Sequence, residues 1–341
     1  MKSNKNSKLI LLENIPAMLF VAVFLLFGIS ARNWFTWTNF SNILTQSSYI
    51  GILTVGITLV LLTGGTDLSV GANMYLSATV AAILIRAGVD MTLSLMACLL
   101  CGIAFGCVNA LFVVKLRIPP FIVTIGTLTA GRGIALILSN SEQIAMPKEL
   151  VSGIGSGKLL GAIPYPMIIF AVVAAIVAVF LRYTPQGRQL YAVGYDKEAA
   201  KKAGIHVPRV LTMAYVLCGF LAALSAIVSI AQIGCVIPAF GEGYEFSAIS
   251  ASVLGGTSLS GGIGTIFPGV VIGTVLIQMV EAGLVFLQVD MYLQPLVSAF
   301  VILLAVLLDS IRTRYIRKLE RRNIRNEEET PASARRAGIR Q

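Results

Sequence analysis

The chain has 341 residues, of which 56% are hydrophobic and only 12% charged, about half the charge fraction of a soluble domain. That balance excludes an ordinary water-soluble enzyme and sets most of the chain against lipid or other apolar helices. The net charge of +10 is spread over three places, Lys2 to Lys8, Arg182 to Arg209 and Arg312 onward, which is a membrane-topology pattern rather than a nucleic-acid patch.

A spanning helix needs about 20 mostly apolar residues. Runs that qualify lie at 13–31, 43–62, 72–87, 91–114, 121–139, 164–181, 210–231, 246–258, 265–287 and 291–308. Basic residues ahead of the first run resemble a signal peptide. However, Arg32-Asn33-Trp34-Phe35 follows where a small-x-small cleavage site would stand, and that aromatic pair suits a membrane interface. The first run therefore reads as a retained span behind a cytoplasmic segment, residues 1–12. The eighth run is short and flanked by glycine, so it reads either as a span or as a segment that enters without crossing.

With the N-terminus inside, 21 of the 26 basic residues fall on the inner side, which predicts two cytoplasmic termini and an even number of spans. The expected fold is all-α: a polytopic transmembrane helix bundle of about ten spans over residues 13–310. Residues 311–341 mix basic residues with Glu327-Glu328-Glu329 and Pro331, a composition that cannot bury a core. They are predicted to form a helical extension fading into a disordered cytoplasmic tail. Cys98-x-x-Cys101 lies within an apolar run and lacks the strand-then-helix context of a redox motif. With Cys107, Cys218 and Cys235 it reads as packing residues. No metal-ligand spacing is present, and the single histidine, His206, sits in a basic loop.

Gly64-Gly65-Thr66-Asp67-Leu68-Ser69-Val70-Gly71 echoes Gly255-Gly256-Thr257-Ser258-Leu259-Ser260-Gly261-Gly262 at a spacing of 191 residues. In both copies glycines interrupt an apolar stretch and free backbone groups that only protein or a watery cavity can satisfy. Paired interruptions of this kind point to a translocation path; tight turns with no solute contact are the other reading. Thr66, Asp67, Ser69, Thr257 and Ser258 are the candidates they supply. An ionised carboxylate at the bilayer centre costs about 2.5 kcal/mol or more, so Glu245 and Glu281 join Asp67 as candidate acceptors for solute hydroxyls. The alternatives differ. Asp67 would cap the next helix, Glu245 would sit in the outer interface, and Glu281 would pair with Gln278.

Between the sixth and seventh runs, residues 182–209 form the longest internal hydrophilic stretch. Thr184-Pro185-Gln186-Gly187-Arg188 reads as a turn. Asp196 then caps a short helix, Lys197 to Ala203, that ends at Gly204, and the small Ala199, Ala200 and Ala203 leave room for a partner's groove. A short rigid helix on the surface is something a soluble partner can push.

Glu198-Ala199-Ala200-Lys201-Lys202-Ala203-Gly204 resembles the E-A-A-x-x-x-G pattern by which permeases of ATP-binding-cassette importers engage their ATPases. The stretches Thr63 to Gly71, Thr184-x-x-Gly187-Arg188, Gly241 to Ile249 and Val253 to Gly262 look like those of ribose-type sugar permeases, within a wider family that includes branched-chain amino-acid permeases. The resemblance runs from about residue 40 to 310. It implies a multi-pass subunit of the bacterial inner membrane that imports a monosaccharide by alternating access. The implied partners are an ATPase subunit that binds ATP and Mg, an extracytoplasmic sugar-binding protein, a second permease subunit and membrane lipid. The chain itself would bind no cofactor and catalyse nothing. The coupling role carries onto Glu198, Ala199, Ala200 and Gly204, with Asp196 as the cap. One departure stands out: Glu281-Ala282-Gly283-Leu284 occupies a place where those permeases usually carry Asn.

Gly153-Ile154-Gly155-Ser156-Gly157-Lys158 is similar to a phosphate-binding loop but has Ser152 for its first glycine and Leu159 for the Mg-binding Ser or Thr. It reads as a glycine-rich loop, so the energy must come from a partner. The rival reading is an ion-coupled carrier or channel acting alone, which would have no need of the short cytoplasmic helix. A branched-chain amino-acid permease is a second alternative, with Arg132 as the only cation near the path.

Overall fold

A computed structural model describes residues 15–30 and 34–290, with scattered positions between 292 and 307. The predicted N-terminal segment, the tail and half of the run at 291–308 lie outside the described residues. The chain is mostly helical: α1 (Ile15–Ser30), α2 (Trp37–Leu62), α3 (Val70–Arg86), α4 (Met91–Ala110), α5 (Pro120–Ser139), α6 (Tyr165–Tyr183), α7 (Pro185–Tyr195), α8 (Lys197–Lys202), α9 (Val207–Ile233), α10 (Tyr244–Leu254) and α11 (Val271–Phe286). Two-residue strands form two small antiparallel pairs. β1 (Ile144–Ala145) pairs with β4 (Cys235–Val236), and β2 (Lys158–Leu159) with β3 (Ile163–Pro164).

Among the described residues, six helices are long and apolar enough to cross a membrane: α2, α4 with its continuation to Lys115, α5, α6, α9 and α11 with its lead-in from Ile266. The protein is therefore a polytopic helical membrane protein. Local chemistry sets the helix starts. Thr36 accepts from Asn39 N–H ahead of α2, Asp90 accepts from the amides of Thr92 and Leu93 ahead of α4, and prolines occupy the first turns of α5, α6, α7 and α9, where a missing N–H costs nothing. The eighth predicted run is α10. Its 11 residues rise only about 16 Å at 1.5 Å per residue, half of a hydrocarbon core of about 30 Å. On its own this helix is too short to span such a core.

The core forms where α9, α2, α3 and α4 pack together. Gly102 and Gly106 of α4 lie against Gly219 of α9, where a side chain would meet backbone, the close approach of small-xxx-small packing. Asn73 of α3 closes the junction, its amide donating to the carbonyls of Gly102 and Gly219 at 3.3 Å each. The cysteines are free thiols, and Cys98 and Cys218 are packed in this core. By contrast α5 and α6 expose isoleucines and valines along one side, among them Ile122, Ile137, Ile176 and Val179. In a membrane such a face meets lipid or another subunit.

Two expectations need correction. Trp34 is buried, stacked among Phe24, Phe27 and Phe286, because α1 folds onto α11 and takes its aromatic neighbour inward; only Phe35 is exposed. Thr184 to Arg188 is no free turn. Thr184 Oγ1 accepts from Gly187 N–H and Pro185 stands at the first turn of α7, so the sequence that reads as a break starts a helix.

Candidate functional site

The two glycine interruptions end helices in the same way. After α2, Gly64 N–H donates to Leu61 O and Gly65 N–H to Val60 O; after α10, Gly256 N–H donates to Val253 O and Thr257 N–H to Ser252 O. Each is a helix stop closed by two reversed bonds over a left-handed glycine, Gly64 at φ 74° and Gly256 at φ 89°. Structurally Gly64 thus matches Gly256, one residue out of register with the sequence echo.

The two stops also meet. Gly262 N–H donates to Leu62 O at 2.9 Å, and a side chain at Gly64 would press on the Ser260 carbonyl. The helix α7 seats on both: a Cβ at Gly194 would collide with Leu62 O and Gly262 N, and Tyr191 Oη donates to Gly264 O at 3.0 Å. From this joint α8 projects. Asp196 accepts from the amides of Glu198 and Ala199 at 2.9 and 3.0 Å, and Gly204 closes the turn at φ 83°. Glu198, Ala199 and Gly204 are exposed, whereas Ala200 is buried and belongs to the protein's own core. The expected row of small residues facing a partner therefore loses Ala200, because α8 is too short to hide its backbone without an apolar anchor.

The candidate path residues do not form one group. Asp67 is buried and accepts from the backbone N–H and hydroxyl of Ser69. Asn109 donates to Ser69 Oγ at 2.8 Å and to Asp67 at 3.5 Å, and Thr127 donates to Asn109 at 2.8 Å. That is a buried polar knot tying the segment ahead of α3 to α4 and α5; of the three amides Asp67 was expected to cap, it accepts from that of Ser69. Thr66 offers its carbonyl to Tyr215 Oη. Thr257 is buried, and Ser258 Oγ accepts from Ser260 N–H within its own turn.

Glu245 is 4% exposed and lies 3.7 Å from Arg132 of α5, which also donates to Gly241 O at 3.1 Å. Neither reading made for Glu245 describes this place. Glu245 is packed inside the bundle, and its pair leaves Arg132 committed rather than waiting for an anion.

Glu281 alone of the seven lines a large cavity, about 980 Å³. Its carboxylate accepts from Gln278 Nε2 at 2.8 Å, as the pairing alternative expected. The opposite walls carry Asn39, Asn42, Gln46 and Tyr49 of α2 and Tyr244 and Ser247 of α10. Sequence reasoning missed the α2 wall. Its signal was there, since Asn39, Asn42 and Gln46 recur every three to four residues on one helix face, but they lie at or before the apolar run's start. The cavity sits at the opposite end of α2 from the joint: Ile50 lines it, and Leu62, about 18 Å further along the helix axis, meets α7. Among the described residues no cluster of three or more His, Cys, Asp or Glu side chains stands ready to hold a metal.

Comparison with known proteins adds a relationship to this geometry. Residues 39–306 match the model of a family described as the permease component of branched-chain amino acid transport systems. The ribose import permease protein of Escherichia coli K12 is 39% identical over 282 residues, covering 82% of this chain and 87% of that protein. The Bacillus subtilis ribose import permease is 40% identical over 273 residues, covering 80% and 84%, and the D-allose transport system permease of E. coli K12 is 36% identical over 289, covering 84% and 88%. No solved structure matches the chain.

Proposed function

Because the chain belongs to this permease family and is similar to ribose-type members along most of its length, we propose that it is the transmembrane permease subunit of an ATP-binding-cassette importer for a ribose-like monosaccharide. It is a transport subunit rather than an enzyme. It works in the bacterial inner membrane with about ten spans and both termini in the cytoplasm, the side on which its basic residues gather. A second permease subunit, a pair of ATPase subunits that use ATP and Mg, and an extracytoplasmic sugar-binding protein complete the machine.

The observation that carries this reading is the seat of α7 and α8. A capped helix with an exposed Glu198, Ala199 and Gly204 is held by α7 onto the point where both glycine stops touch. Force applied to α8 is delivered to the ends of α2 and α10 at once. Those helices carry two walls of the cavity at their other ends, so opening and closing of the ATPases is transmitted to the cavity walls. A carrier acting alone has no use for such a lever. The family description favours a second reading, a branched-chain amino-acid solute, but Arg132, the cation it would need, is already held by Glu245 and Gly241.

The experiment is uptake of labelled D-ribose into proteoliposomes holding the chain with or without its ATPase, binding protein and ATP. Uptake only with all of them present is expected; uptake by the chain alone would sink the importer reading.

A further inference from the structure

The cavity between α2, α10 and α11 has a chemistry that selects among small solutes. Its volume, 980 Å³, lies at the large end of small-molecule pockets, roughly 300–1,000 Å³. Half of the polar lining residues are amides: Asn39, Asn42 and Gln46 from one side, Gln278 and Gln294 from the other. Amides donate and accept at once, which matches hydroxyl groups that do the same. Tyr49 and Tyr244 stand side by side in the wall, ring centroids 5.5 Å apart, and offer a rigid apolar surface to the C–H side of a sugar ring. Glu281 adds the strong acceptor. Gln278 occupies one carboxylate oxygen, and among the described residues the other has no partner.

The charges are one-sided. Glu242 and Glu281 line the cavity, and among its described lining residues there is no Lys, Arg or His. The nearest candidate cation, Arg132, faces away into its pair with Glu245. A solute bearing a carboxylate therefore finds no counter-charge and two like charges, and like-charge juxtaposition is a strong rejecting device.

Building on the importer reading, we infer that this cavity is a solute site that accepts uncharged polyhydroxylated molecules and rejects those carrying a carboxylate, amino acids included. Glu281 is its specificity-determining acceptor. The site discriminates on the membrane subunit itself, downstream of whatever delivers the solute.

The test is ligand-detected saturation-transfer NMR on the full chain in lipid nanodiscs, with ribitol, D-ribose, D-ribonate and L-leucine as probes. Signals are expected from ribitol and D-ribose and not from D-ribonate or L-leucine. Asn42→Trp, which fills the cavity from an exposed position, abolishes the sugar signals. The isosteric Glu281→Gln weakens the ribitol signal and admits one from D-ribonate, so that the ratio of the two becomes measurable. The inference is overturned if D-ribonate or L-leucine matches ribitol on the unaltered chain, if ribitol persists in Asn42→Trp, if neither signal changes in Glu281→Gln, or if no probe gives a signal. Binding here needs neither ATP nor partners. Failed ATP-driven uptake with these signals intact would strike the importer reading and leave the cavity standing.

Discussion

The two ends of α2 are built on opposite terms. At one end Asn42 and Gln46 line an open cavity with exposed amides, beside a buried Asn39 whose amide donates to Trp34 O at 2.9 Å. At the other, Leu62 O is held by Gly262 N–H, and Gly64, Gly194 and Gly261 lie so close that a side chain on any of them meets backbone. The contrast teaches how one rigid rod serves two tasks. The cavity end must tolerate different contacts as a solute comes and goes, and Asn42 and Gln46 stand exposed there. The joint must transmit displacement, so its closest contacts are backbone to backbone, with Tyr191 adding a side-chain bond to Gly264 O.

If that contrast holds, substitutions at the joint should be severe and those at the cavity mild. Gly194→Val comes first. Its branched side chain enters the space of Leu62 O and Gly262 N, overpacking worth about 1–3 kcal/mol or more, and ATP-driven uptake should vanish while the chain still reaches the membrane. Retention of even half the uptake per inserted molecule would break the comparison. Ala200→Pro is next. It removes the Ala200 N–H bond to Asp196 O and buries a ring in the helix interior, about 3 kcal/mol against α8, so ATP hydrolysis by the assembled complex should become uncoupled from transport.

Asp67→Ala strips the acceptor from Ser69 and leaves buried donors unpaired, about 1–3 kcal/mol, visible as a lower thermal midpoint in detergent. Asp67→Asn, which keeps one acceptor oxygen, should lose less. Asp196→Ala removes the cap of α8 at about 1 kcal/mol and should weaken co-purification of the ATPase. Smallest in stability is Gln46→Ala at the exposed cavity wall, within about 0.5 kcal/mol. Its effect should appear in solute affinity alone, and a destabilised protein would show the cavity end to be as rigid as the joint.

Much of the fold was legible because lipid makes apolar length decisive. The runs at 91–114, 121–139 and 265–287 match helices to within a residue or two. The cap at Asp196 and the glycine after α8 were legible because those positions follow local hydrogen-bond chemistry. What the sequence hid depends on partners distant in the chain. The inward turn of Trp34 needs α11, the burial of Ala200 needs the packed core, and the Arg132–Glu245 pair joins residues on α5 and α10. The echo was read correctly as a pair of breaks, but its one-residue slip becomes visible only when the helix ends are superposed by their hydrogen bonds. Glu281 was singled out for being an acid in lipid. Gln278 was named as its partner, but the amides of α2 across from it passed unnoticed, because a polar residue near the start of a span is unremarkable on its own.

The half-length of α10 bears on how the protein is made. Eleven residues offer a translocation channel too little apolar length to release sideways into lipid, and the irregular backbone before it, Ile237 to Gly243, has polar groups that lipid cannot satisfy. Part of that backbone closes its own turns, Phe240 N–H to Ile237 O and Glu242 N–H to Ala239 O; Arg132 of α5 donates to Gly241 O, and Gly71 of α3 packs closely against Gly241. The expectation for biogenesis is that α10 joins late, docking against α3 and α5 already in place.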